Sequence, residues 1–216
     1  MVGAGFTGFN PSVVENSIRG VISSYNELIS SLGNDVQRKI INGMQNVWAC
    51  KEAQDFFTEF TENINKLIKV VNSNFEYVVT EMNNAGYDWA VRTGDASSFR
   101  KIAFDPSSTT VSASGIQENI NGVRGIDSAS ATNIASLLAG ISASVANAVD
   151  QARNSVNCCG FIGSNMEASL QETLDRVKSN VRENIESLTA ECKERINSTV
   201  SSYGDLQGKV AASFVA

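Results

Sequence analysis

Met44-Gln45-Asn46-Val47-Trp48-Ala49-Cys50-Lys51-Glu52 is the stretch on which the reading of this chain turns. Upstream of it, apolar residues recur as Val14, Ile18, Val21, Tyr25, Leu28, Leu32, Val36, Ile40, Met44 and Val47. Downstream they resume as Phe57, Phe60, Ile64, Leu67, Val71, Phe75, Val78 and Met82, then Trp89. Steps of three and four residues mark one buried face of a helix. One such stripe enters the stretch and another leaves it, so it reads as the tip of a long antiparallel helical hairpin. Each arm is about 37 residues, or roughly 55 Å. Two arms of that length cannot bury both stripes alone.

Asn10-Pro11 followed by Ser12-x-x-Glu15 reads as the start of the first arm, with Pro11 in the first turn and Ser12 and Glu15 as a capping box. Gly20, Gly33 and Gly43 interrupt the arm, each at a cost of up to about 1 kcal/mol relative to Ala. They read as bends or close helix contacts. The second arm weakens at Asn83-Asn84-Ala85-Gly86 and stops at Thr93-Gly94-Asp95.

The missing partner for this hairpin lies further along the chain. A third stripe runs Ile116, Ile120, Val123, then Ile134, Leu138, Ile141, Val145, Val149, Ala152 and Val156. A fourth opens on Ser164-x-x-Glu167, another capping-box pattern, and includes Leu170, Leu174, Val177, Val181, Ile185, Leu188, Cys192 and Ile196. It continues through Val200 and Tyr203, then less regularly to Val210 and Phe214. Val156-Asn157-Cys158-Cys159-Gly160 is the tip between the third and fourth stripes. The expected organisation is a first hairpin over residues 1–92, a partly packed linker over 93–115 and a second hairpin over 116–216. The linker is rich in Ser, Thr, Gly, Pro and Asp, and Phe99, Ile102 and Phe104 give it apolar residues to pack.

Adding 109 to the first stripe maps Tyr25 onto Ile134, Val36 onto Val145 and Val47 onto Val156. Adding 110 to the second maps Ile64 onto Leu174, Phe75 onto Ile185 and Met82 onto Cys192. The halves read as one pattern used twice, with Trp48-Ala49-Cys50 lying on Cys158-Cys159-Gly160. The fold expected is all-α: two hairpins in one four-helix bundle, each hairpin burying the other's stripes. A direct helix-to-helix connection needs only a few residues, whereas a linker of about 23 residues extends over roughly 70 Å. That length favours hairpins packed antiparallel to each other, with Cys192 approaching the Cys50 end. Parallel packing would instead bring Cys50 to Cys158 or Cys159.

Composition narrows the function. The chain of 216 residues is 42% apolar and 19% charged, with two prolines and a net charge of −6. Acids and bases spread evenly over both halves, so no basic face suggests nucleic acid. It contains no histidine, which removes His-based triads, His metal sites and the usual general base. No phosphate-cradling glycine loop occurs, and none of Cys50, Cys158, Cys159 and Cys192 forms a C-x-x-C pair. The residues predict no catalytic, cofactor or metal site. Cys192 lies on a core stripe and reads as a small buried apolar residue. The N-terminal residues lack a basic segment and a sustained apolar core, unlike a secretory signal peptide. Ala131–Val149 is mildly apolar but broken by Ser, Thr and Asn, which favours a soluble helix over a membrane span.

With Trp at one hairpin tip and Gly at the other, the chain resembles two fused members of the WXG family, helical hairpins with a Trp-x-Gly tip exported by type VII secretion systems. The first tip keeps Trp48 but has Cys50 at the glycine position; the second has Gly160 but Cys158 at the tryptophan position. Family members pair as antiparallel hairpin dimers, so the resemblance implies a pseudo-dimer within one chain and a monomer. It also implies export without a cleavable signal peptide from a Gram-positive type of cell. The expected partners are the secretion machinery and possible further secreted proteins, with membrane contact disfavoured. Tyr77-Val-Val-Thr-Glu81 matches the family's Tyr-x-x-x-Asp/Glu export signal, although Tyr and Glu four apart share a helical face in any case. An edge of Trp48 exposed to the secretion machine would complete this reading. The alternatives are a membrane-acting pore-former inserting through Ala131–Val149, and a cytoplasmic structural bundle.

Overall fold

The computed structural model describes residues 8–157, 159–162 and 166–213. Its long elements are helical. After β1 (Gly8–Phe9) come α1 (Pro11–Ile29), a π-helical stretch (Ser30–Ile41) and α2 (Asn42–Met44). Next are β2 (Trp48–Ala49), α3 (Lys51–Arg92), a 3₁₀ turn (Ala96–Ser98) and β3 (Gly125–Ile126). α4 (Ser128–Asn157), β4 (Phe161–Ile162) and α5 (Met166–Ser213) complete the order. The all-α expectation holds, and the long helices pack in a four-helix-bundle-like arrangement.

Two compact units can be distinguished, and each draws on both hairpins. The first comprises Met1–Ser30, Leu67–Thr109 and Ser144–Arg182. Its core joins Val14, Ile18 and Val21 of α1 to Val71, Phe75 and Val78 of α3, Val149 and Val156 of α4, and Leu174 and Val181 of α5. The second comprises Ser31–Lys66, Thr110–Ala143 and Glu183–Ala216. Its buried residues include Leu32, Val36 and Ile40 of the π-helical stretch, Phe57, Phe60 and Ile64 of α3, Ala135 and Leu138 of α4, and Ile185, Cys192 and Ile196 of α5. Fully burying each of these aliphatic and aromatic side chains contributes about 1.5–3 kcal/mol. The apolar stripes read from the sequence are these cores.

The first arm is helical to Met44, but Ser30–Ile41 within it is not α-helical. Leu28, Leu32, Val36, Ile40 and Met44 are all buried, and every step between them is four residues. At about 100° per residue an α-helix turns each such step roughly 40° past a full circle. The stripe would therefore drift around the helix. A wider π-helical turn over Ser30–Ile41 reduces that drift and keeps the stripe on the core. Gly20 and Gly43 mark close helix contacts. A Cβ on Gly20 would lie 2.5 Å from Ser155 Oγ, and one on Gly43 would lie 3.3 Å from Ile134 Cδ1.

Two helix starts differ from expectation. Asn10, not Ser12, caps α1: its Oδ1 accepts from Val13 N–H at 3.3 Å with Pro11 in the first turn. Glu15 does not close a capping box and instead accepts from Arg100 N–H at 3.1 Å. The third helix does not begin at Ile116. Asn121 and Gly122 adopt φ of 51° and 83°, and Ile120 and Val123 exchange both backbone hydrogen bonds across them. Consecutive left-handed residues make a tight hairpin turn that a helix cannot contain. α4 starts only after Asp127, whose carboxylate accepts from Ser130 N–H and hydroxyl. Those two bonds hold the Asp127 carboxyl below its usual range. Ser164 of the second expected capping box lies outside the described residues.

Candidate functional site at the hairpin tips

The first tip lies in the second unit. The chain turns after Met44, with Val47 N–H donating to the Met44 carbonyl at 3.0 Å. β2 then pairs antiparallel with β3, Trp48 opposite Ile126 and Ala49 opposite Gly125. Asp127 N–H extends the ladder by donating to the Val47 carbonyl at 2.8 Å. Trp48 is 0% exposed, with ring centroids 6.0 Å from Phe56 and 5.8 Å from Phe57. Its Nε1 has no hydrogen-bond partner. The expected exposed edge of Trp48 is therefore absent, because the tip strand turns the indole into the aromatic cluster. Ala49 and Cys50 are buried with it.

Beside this tip, Glu52 accepts from Thr199 Oγ1 at 3.0 Å and lies 3.9 Å from Arg195. The first hairpin's tip thus meets the later part of α5 and the strand before α4, the ends of the second hairpin remote from its own tip. A recess of about 280 Å³ lies here, lined by Cys50, Lys51, Glu52, Arg124, Tyr203 and Leu206 among others.

The second tip lies in the first unit. β4 pairs antiparallel with β1, Phe161 opposite Phe9 and Ile162 opposite Gly8. Asn10 N–H donates to the Gly160 carbonyl at 3.0 Å. Phe161 is buried and stacks on Phe9 at 6.5 Å, and Phe9 stacks on Trp89 at 6.0 Å. Gly160 has φ of +81°, and a Cβ there would lie 3.1 Å from the Asn10 carbonyl oxygen. Cys158 lies outside the described residues. Cys159 is 0% exposed, and its Sγ donates to Glu167 Oε1 at 3.3 Å. Burial pushes its thiol up to about 12.

These ladders correct the alignment of the tips. In each, the residue capping the other hairpin's first helix donates to the carbonyl just before the tip strand. Val47-Trp48-Ala49 therefore corresponds to Gly160-Phe161-Ile162. Trp48 falls on Phe161, three residues beyond Cys158, because α4 runs on to Asn157, four residues past the position that the offset of 109 assigns to Met44, where α2 ends. Sequence reasoning missed Phe161 and both clasping strands. A signal existed: Gly8-Phe9-Asn10 and Gly125-Ile126-Asp127 each place Gly, an apolar residue and an Asx cap ahead of a long helix.

Of the remaining predicted residues, Tyr77 is 46% exposed and Glu81 half-buried, one turn apart on α3. They lie in the first unit, as the second tip does. Cys50, Cys159 and Cys192 are free thiols. Burial also pushes Cys192 up to about 12. Among the described residues no cluster of three or more His, Cys, Asp or Glu could hold a metal ion. One described helix, α4, is long and apolar enough to cross a membrane, and 28% of its apolar window is buried.

Fold and tips define an all-α protein in a four-helix-bundle-like arrangement whose two hairpin turns are clasped by two-residue strands. Comparison with protein-family models, with curated proteins and with solved structures finds no match.

Proposed function

We propose that the chain is a fused pair of WXG-like hairpins, a pseudo-dimer in one polypeptide exported by a type VII secretion system. It acts without catalysis, as a secreted substrate, carrier or protein-binding partner. The observation carrying this reading is the equivalence of the tips, each an aromatic residue opening a short strand clasped by the opposite hairpin. In the corrected alignment Trp48-Ala49-Cys50 faces Phe161-Ile162-Gly163, so the second tip keeps an aromatic residue and the glycine two positions later. Tyr77 and Glu81, one turn apart with Tyr77 exposed, fit the role of export signal better than the buried Trp48.

The test is secretion. The chain should reach the culture medium of a cell with a type VII system and remain inside when that system's membrane ATPase is deleted. Tyr77→Ala should reduce export while leaving the fold unchanged by circular dichroism. Retention in the cell with the ATPase present would overturn the proposal. A second reading rests on α4, which carries no charged residue between Asp127 and Asp150: insertion of this helix into a lipid bilayer. Dye release from liposomes would favour it over export as a soluble bundle.

A further inference from the structure

In the first unit, residues Phe99–Ser107 lie against side chains of α1 and α3 as a ligand lies in a receptor. Asn83 grips the Ile102 residue at two points: its Nδ2 donates to the Ile102 carbonyl at 2.9 Å, and its Oδ1 accepts from the Ile102 N–H at 2.8 Å. Ser107 is held by a relay. Its N–H donates to Tyr25 Oη at 2.6 Å, its carbonyl accepts from Asn72 Nδ2 at 2.9 Å, and the Tyr25 hydroxyl donates to Asn72 Oδ1 at 2.8 Å. Glu15 takes the Arg100 N–H. Apart from the Tyr25–Asn72 bond within the relay, all of these bonds go to main-chain groups of the segment. They reproduce with side-chain amides what a sheet edge offers an added strand.

Side chains supply the anchors. Phe99 is 3% exposed and rests on Gly86, where a Cβ would come within 2.5 Å of its Cζ. Phe104 packs on the Tyr25 ring at 4.8 Å between centroids. Between them Lys101 Nζ donates to Asn84 Oδ1 at 2.8 Å and lies 5.2 Å from the centre of the Tyr87 ring. Residues on the approach to this segment, 93–97, and Asp105-Pro106 within it are exposed. Residues 99–107 themselves belong to no helix or strand.

We propose that this face of α1 and α3 is a recognition site for an extended peptide carrying two aromatic residues five positions apart, with residues 99–107 as its intramolecular occupant. The partner is a segment of another protein with that spacing and free main-chain N–H groups where Ile102 and Ser107 now sit. A short tether holds the resident segment at an effective concentration of about 1 mM, so a partner gains access by out-competing it.

The test uses the full chain with Phe99→Ser and Phe104→Ser, which weakens the resident segment and leaves every receptor residue in place. A fluorescein-labelled peptide of residues 98–108 should bind this variant saturably. N-methylation of the peptide at Ile102 and Ser107, or Asn83→Ala in the chain, should weaken binding at least about tenfold. Absence of saturable binding to the folded variant, or undiminished binding of the methylated peptide, would overturn the proposal. Should the double variant not fold, hydrogen exchange on the wild-type chain decides. Peptide well above about 1 mM should accelerate exchange at Ile102 and Ser107 and leave the helices unchanged; unchanged exchange at those two amides refutes it.

Discussion

Replacing Trp48 probes the packing of the first tip directly. The indole is wholly buried against Phe56 and Phe57, so Trp48→Ala removes a large side chain from a packed cluster. Such truncations cost about 3–5 kcal/mol. No hydrogen bond is lost with it, because Nε1 has no partner. That orphaned donor makes Trp48→Phe the informative comparison. Phenylalanine keeps most of the aromatic contact and removes a buried N–H whose burial costs about 1–3 kcal/mol, which offsets part of the lost volume. Urea unfolding followed by far-UV circular dichroism should therefore place Trp48→Phe within about 1.5 kcal/mol of wild type and Trp48→Ala far below it. Equal losses for the two variants, or a loss under about 1.5 kcal/mol for Trp48→Ala, would refute the packing argument. The pair also separates stability from export: if a folded Trp48→Phe chain is secreted normally, the indole itself is not what the machinery reads.

Two glycines with matching backbone should respond differently to alanine. Gly94 has φ of +83° with open space around it, whereas Gly160, at +81°, faces Val13 and the Asn10 carbonyl. Gly94→Ala should cost about 1–2 kcal/mol from the left-handed backbone alone, and Gly160→Ala about 1–3 kcal/mol more from crowding, measured by denaturant midpoints. Alkaline pH should destabilise the fold. Cys159 and Cys192 rise from 9.0 to about 12, so the unfolded chain releases these protons first. Stability is unaffected by them below about pH 9 and falls between there and about pH 12. Thermal melts across that range should decline less steeply for Cys192→Ala, and a wild-type curve flat to pH 11 would contradict the assignment.

The helices were legible because burial imposes a period on the sequence, and each stripe became a core. What escaped was decided by backbone geometry and by polar side chains, which leave no apolar period. Asn121-Gly122 is a strong local turn signal, yet Ile116, Ile120 and Val123 fall at helical spacing and masked it. The run of four-residue steps from Leu28 to Met44 could have indicated the wide helix. At the second tip, sliding the stripes in register put Trp48 on Cys158, because stripe alignment fixes helix faces and says nothing of where a helix ends. Asn65, Asn72 and Asn83 looked like ordinary polar positions. Their spacings of 7 and 11 residues keep them on one face of α3, and all three hold residues of the intervening segment.

That mode of attachment bears on how the sequence can change. In the second unit Asn65 grips Val111 at two points and Gln37 grips Ser112 likewise, again through main-chain groups. A ribbon fastened by its peptide groups is nearly indifferent to the side chains it points outward. Proline at Ile102, Ser107, Val111 or Ser112 would delete a fastening, while exposed Ala103, Asp105, Ser108 and Thr110 could vary with little penalty. The segment is therefore where this chain can acquire new surface chemistry, or accept a label, without renegotiating its fold.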